Sequence, residues 1–396
     1  MDNVVALGIL ERQRVPLEQL ELRSKTFLLL ELRKQIRRNS TFSTKTCVYS
    51  NEYYSQCLAG TAAPTITKST TTIITPPTST SAASTPSSSI PAGAITVGPG
   101  GTYSTIAAAL KDTSRRVIIS DNIVQLTYDC FSNVYYLYAG TYKEQILISR
   151  ANVKIYGQTS NKLDYTANTV TITNNIPASQ AGSNDASGTV RVSATGVSLY
   201  NLNIANTYGK PVDQSQAIAL SVQAGTFGAY ACKITGYQDT LLANKGTQFY
   251  GRSYISGATD FIFGQQASIW ITKSTVETIA SGYITASGRN SDDSNYYVID
   301  NSTIKGTGSC YLGRPWREYA RVIVQNSNIG SNIVAAGWKV WSDSDTRTGH
   351  VCYGEYANTG SGAWRSGRVS FATKMTSGVS IATVLGSTSW VDSAYM

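Results

Sequence analysis

The chain has 396 residues, of which 41% are hydrophobic and only 14% charged, with a formal net charge of +9. That length allows two or three domains or one large β domain. Sparse charge and abundant Gly, Ser, Thr and Asn suit short strands and many turns over long helices, and no apolar run reaches the length of a membrane-spanning helix.

The charge does not point to a nucleic-acid partner. Residues 1–45 hold nine Lys/Arg against five Asp/Glu, leaving about +5 spread thinly over the rest with no basic run. A mildly basic surface suits an acidic polymer as well as it suits DNA. Residues 1–45 are charged and Leu-rich, helical or unstructured. They make a poor signal peptide, because the start is not basic and charges interrupt the apolar stretch. They are expected to stem from a wrongly assigned first exon.

Residues 46–60, "TCVYSNEYYSQCLAG", resemble the C-terminal third of a fungal cellulose-binding module. On that resemblance Tyr53 and Tyr54 match two of three sugar-stacking aromatics, and weak cellulose contact is implied. The upstream half is missing, so Cys47 and Cys57 lack their family partners. Residues 61–93 are a linker, with seventeen Ser/Thr in the first thirty positions and Pro64, Pro76, Pro77, Pro86 and Pro91 breaking it up. Such a stretch cannot bury a core.

Residues 94–396 read as one globular domain. Its cysteines, Cys130, Cys232, Cys310 and Cys352, form no CxxC or Cys/His cluster, so no metal is expected. His350 is the single histidine, and no GxSxG accompanies it for a serine-type triad. Short repeats run "CKITG", "SYISG", "STVET", "STIKG" and "SNIGS", centred on Ile234, Ile255, Val276, Ile304 and Ile329, with spacings of 21, 21, 28 and 25. Each follows a short alternating strand. This period predicts a solenoid whose coils bury their apolar faces against one another, in preference to a β-sandwich. The Ser or Cys opening each repeat is expected to point inward and stack on its equivalents.

Asp239 lies five residues after Ile234, and Asp260 five after Ile255. If the isoleucines stack, so do the aspartates, with carboxylates roughly 5–6 Å apart across neighbouring strands. Two carboxylates that close cannot both ionise cheaply. Such a pair fits a retaining glycosidase, or an esterase in which one carboxylate attacks and the other moves protons. Gln238, beside Asp239, offers an amide for an oxyanion. Arg314, in "YLGRPW", offers a forked cation for a carboxylate. Trp316 offers a ring for a sugar, with core packing and a surface ion pair as the plainer roles of Trp316 and Arg314.

Eight segments in order, "GPGGTYSTI", "AGTYKEQI", "SGTVRV", "QAIAL", "GYQDTLL", "GATDFIFG", "YLGRPW" and "EYANTGSGA", resemble the pectin methylesterases, the fungal members most closely. The resemblance implies an all-β fold: a right-handed parallel β-helix with an open surface cleft. It implies Asp260 as nucleophile, Asp239 as general acid/base, Gln216 and Gln238 on the oxyanion, Arg314 holding Asp260, and Trp316 and Thr189 on the substrate. It implies no cofactor, methyl-esterified polygalacturonate as substrate, secretion and a monomer. Many relatives carry a cysteine at the position of Ser253, bridged to the equivalent of Cys232; here that bridge is absent. Asn301, in "NST", is a candidate glycosylation site. The rival readings are another β-helix pectinase, hydrolase or lyase, and an inactive wall-binding protein.

Overall fold

The computed structural model describes residues 89–112 and 133–396 in full, and residues 45–51, 54–59, 119–120 and 123–124 as backbone strands. The chain divides into two compact units, 1–74 and 75–396. In the first, Lys45–Asn51 pairs antiparallel with Tyr54–Ala59, setting Cys47 opposite Cys57 in the register. Tyr53, the side chain of Tyr54, Cys130 and most of the 61–93 segment lie outside the described residues.

The second unit is a right-handed parallel β-helix. Each coil contributes up to three short strands, and equivalent strands stack in parallel from coil to coil. One face is an eleven-stranded sheet that begins with Ile95–Val97 and ends with Ala372–Lys374. The other two faces merge, because Tyr254–Gly264 and Thr275–Ser287 run unbroken through the corner between them. The expected apolar column is present: Ile204, Ile234, Ile255, Val276, Ile304 and Ile329 are register partners, coil after coil, and all are fully buried. Stacked apolar columns suit a solenoid because no coil has a core of its own.

The serine column has a chemical reason. The corner before each repeat is turned by one residue in the left-handed region: Ala231, Arg252, Lys273, Asn301, Asn326 and Ala357, with φ between 42° and 52°. That turn takes the next amide out of the strand ladder. The N–H of Cys232 donates to Ser253 Oγ, that of Ser253 to Ser274 Oγ, that of Ser274 to Ser302 Oγ, and that of Ser302 to Ser327 Oγ, at 2.9–3.1 Å. Each hydroxyl donates in turn to a carbonyl two residues back, as Ser274 does to Thr272 at 2.7 Å. A buried polar group left unpaired costs about 1–3 kcal/mol. Ser274→Ala orphans the Ser253 N–H, while the Thr272 carbonyl keeps the Arg252 N–H at 3.1 Å. The variant is expected to lower the Tm by a few degrees in calorimetry, whereas an unchanged Tm would show the column to be incidental. Cys232, the first member, keeps a free thiol. It donates to the Leu199 carbonyl, and burial pushes its pKa up to about 12.

The coil stack is closed at its N-terminal end by a short helix, Ile106–Lys111, with Ile106 and Ala109 buried against the first coils. Glu144 accepts from the N–H groups of Ile106 and Ala107 at the start of that helix. Outside the eleven-stranded sheet, stacked Tyr156, Tyr200 and Tyr230 are covered by the C-terminal segment through Val384, Leu385 and Tyr395. Among the described residues, no helix is long and apolar enough to cross a membrane.

Candidate active site

The long strand Tyr254–Gly264 is irregular at its centre, where its register with Thr275–Ser287 shifts around Thr259. Bulges of this kind re-aim side chains. Here the irregularity falls beside Asp260, whose φ is 49°, and one coil earlier Asp239 has φ 64°. Gln216, Gln238 and Thr259 are register partners across three coils, and the Asp239 N–H donates to the Thr259 carbonyl at 3.0 Å. Asp239 and Asp260 thus occupy equivalent left-handed corners of adjacent coils. Left-handed backbone suits Asp and Asn better than most side chains, and a chain that places two aspartates there turns both outward from the apolar stack.

They face a cleft of about 300 Å³ lined by Asn184, Gln214, Gln216, Gln238, Asp239, Asp260, Phe263, Ala286, Arg314, Trp316 and Trp341. The two carboxylates differ in their partners. Asp260 is held by a two-pronged fork, with Arg314 Nε donating to Oδ1 at 3.0 Å and a terminal nitrogen to Oδ2 at 2.7 Å. The Asp239 carboxylate lacks such a fork, although only 7% of the residue is exposed. Burial, then the charge of Asp260, push Asp239 well above the usual carboxylate range, and Arg314 opposes this only in part. Burial pushes Asp260 up too, but the direct Arg314 bonds pull against it. Of the pair, Asp239 is therefore the member that keeps the proton.

The amides are also set. Gln238 Oε1 accepts from the Ser215 N–H at 3.1 Å and from Lys210 Nζ at 3.5 Å, which fixes the side-chain orientation and leaves its NH₂ as the free end. Gln216 Nε2 donates to Gln214 Oε1 at 2.6 Å, so one of its two hydrogens is engaged and the other is spare. Trp316 packs on Phe263, ring centroids 6.0 Å apart, over a small apolar floor of Ile218, Leu242 and Ala286. A side chain on Gly288 would stand 2.5 Å from Trp316 Cε3, so the absence of a Cβ there lets the ring lie down.

Thr189 is the exception among the expected site residues. It is fully buried, and its hydroxyl donates to the Ala205 carbonyl at 3.0 Å. With no exposed atom it does not line the cleft, so a part in substrate binding could only be an indirect one. Conversely, Asn184, Gln214, Phe263 and Trp341 line the cleft without having been singled out. Phe263 follows the core residues Phe261 and Ile262, and a three-residue offset from Asp260 along a strand gave no reason to place it on the same side. Trp341 sits in a loop with no repeat register to place it. His350 stacks on Tyr319 away from the cleft, centroids 4.6 Å apart.

A profile of the family described as pectinesterase matches residues 98–392. The chain is 44% identical over 322 residues to a pectinesterase from Aspergillus aculeatus, covering 77% of this chain and 93% of that protein. It is 40% identical to a pectinesterase from Aspergillus niger over the same shares. Among solved structures, the pectin methylesterase of Aspergillus niger in deglycosylated form superposes with a TM-score of 0.69 at 40% identity, covering 78% of this chain and 99% of that one. The pectin methylesterase from carrot gives 0.64 at 28%, covering 75% and 94%. A match across three quarters of the chain, on a fold and cleft of this form, means that the chain belongs to the pectinesterase family.

Proposed function

We propose that the chain is an extracellular pectinesterase that removes methyl esters from polygalacturonate, with Asp260 as nucleophile and Asp239 as general acid and base. The observation that carries the assignment is the asymmetry of the pair: Arg314 forks onto Asp260 alone, and Asp239 holds the higher pKa. A carboxylate kept ionised by a fixed cation is fit to attack, and a neutral neighbour is fit to donate a proton.

In this reading an Asp260 oxygen bonds to the ester carbon, and the carbonyl π pair moves onto oxygen. The free NH₂ of Gln238, with the spare hydrogen of Gln216, meets that oxyanion. Collapse breaks the bond to the methoxy oxygen, which takes the proton of Asp239 and leaves as methanol, and an anhydride with Asp260 remains. Asp239, now a carboxylate, takes a proton from water, whose oxygen attacks the acyl carbon. Release of the uronic acid restores both aspartates. The Trp316 and Phe263 rings offer the apolar surface on which a pyranose packs.

The retaining-glycosidase reading uses the same two carboxylates, but it leaves the amide donors of Gln216 and Gln238 without a task. Methylated polygalacturonate is expected to yield methanol with no new reducing ends. Reducing ends without methanol would replace the esterase with a chain-cleaving enzyme, and binding with neither product would point to an inactive wall-binding protein. Secretion, a monomeric state and weak cellulose contact through Tyr53 and Tyr54 belong to this same reading. Retention of the full chain on cellulose, lost on replacing both tyrosines, tests the last of these.

A further inference from the structure

Arg314 lies against two aromatic rings. Its guanidinium carbon lies 4.1 Å from the centre of the Tyr283 ring and 4.2 Å from that of Trp341. Beneath Tyr283 lies Tyr311, stacked at 5.6 Å. Beyond Trp341 lies a second cation, Arg347, at 4.8 Å. The result is one continuous chain of ring–ring and cation–ring contacts, from Tyr311 through Tyr283, Arg314 and Trp341 to Arg347, and Arg347 does not line the cleft. Arg347 is also tied sideways. It donates to the Trp316 carbonyl at 2.6 Å and pairs with Asp345 at 2.7 Å.

The backbone supplies a second observation. Arg347 has φ 54°, although it is neither glycine nor asparagine. A left-handed conformation costs an ordinary L-residue about 1–2 kcal/mol, and such strain persists where the surroundings over-determine it. Here the turn is closed from the other side, with the Trp341 N–H bonded to the Thr346 carbonyl at 3.2 Å. The strained residue brings the loop back so that its own side chain covers the ring from which the loop departed.

We propose that Arg347 is a positioning residue for the esterase reaction, a latch that holds Trp341 against Arg314 and ties that chain of contacts to the backbone of Trp316. The inference rests on the esterase reading above. Arg347 touches neither aspartate. It acts by restricting Trp341, which restricts the guanidinium plane, which sets both bonds to Asp260. Without the latch, Trp341 swings and water reaches the Arg314 fork. The ionisable groups bearing on Asp260 are Arg314, Asp239 from the preceding coil and the phenol of Tyr353. Of these, only Arg314 favours its charge, so a looser fork makes Asp260 easier to protonate.

The test uses the full chain and three variants: Arg347→Gly, Arg347→Lys and Trp341→Leu. Glycine accepts the left-handed backbone without strain, so Arg347→Gly removes the latch while leaving the turn at least as comfortable. It is expected to lower kcat for methanol release about tenfold, to change KM less, and to move the acid limb of the kcat profile to higher pH. Arg347→Lys, which keeps charge without the planar fork, should fall between. In the Trp341→Leu background, Arg347→Gly should add little, since the two act as a unit. Unchanged kcat and acid limb in an active protein overturn the inference. So does a loss that follows Tm with the acid limb unmoved, because the side chain then only holds the fold. A parent protein that releases no methanol instead overturns the esterase reading itself.

Discussion

Replacing Asp260 by asparagine is expected to abolish methanol release, with a loss of about 10⁴-fold or more in kcat. An amide is neither anionic nor a comparable nucleophile, and it cannot accept both prongs of Arg314. The backbone makes this a clean substitution. Asp260 stands at φ 49°, a region that asparagine tolerates at least as well as aspartate. The turn therefore survives, and circular dichroism of the variant should match the parent. A lower Tm is expected, because Arg314 keeps its aromatic contacts but loses its anion. Alanine is the poorer choice, since it would add strain at this φ and confuse lost chemistry with lost turn. An Asp260→Asn protein that stays folded and keeps most of its activity would rule out the proposed nucleophile, leaving the pair some other role.

How much of this was readable beforehand depends on what the coil period controls. The stacking of Ile234 on Ile255 and Val276 followed from equal spacing, and it carried Asp239 and Asp260 with it because each sits five residues beyond its isoleucine. The serines were legible as a column, but not their task. Nothing in "SYISG" shows that the preceding residue is left-handed and strands an amide, which is what gives each hydroxyl its donor. The residues outside the repeat were the hard ones. Trp341 and Arg347 belong to a loop whose path over Arg314 is set by a turn closure and a stacking contact, and neither has a period in sequence. Thr189 marks a different limit: a motif position transferred from a family resemblance says nothing about which way one side chain faces, and here the hydroxyl donates to the Ala205 carbonyl.

Asp239→Asn is the more informative substitution, because it separates catalysis from stability in opposite directions. Methanol needs a proton as it leaves, and the later water needs a base; losing both services should cost about 10²–10⁴-fold in kcat. The pH profile should change shape as well. In the parent, activity requires Asp260 ionised and Asp239 protonated for the first step, so it falls below the lower macroscopic pKa of the pair and above the upper one. The upper limb belongs to a group the variant lacks, and whatever activity remains should no longer decline there. Stability runs the other way. The folded-state pKa of Asp239 lies well above that of an ordinary exposed aspartate, so the native state binds this proton more tightly than the unfolded chain does. The stabilisation from that proton is complete below about pH 4 and is lost as pH rises through the raised value. Asparagine carries no such penalty, and its own preference for the left-handed turn at φ 64° is satisfied. The variant should therefore melt with the parent near pH 3 and above it from neutral pH upward, while being the far poorer esterase. A variant that is less stable than the parent at pH 8, or whose Tm difference does not grow with pH, would mean that Asp239 is ionised in the resting protein and that the proton sits elsewhere in the cleft.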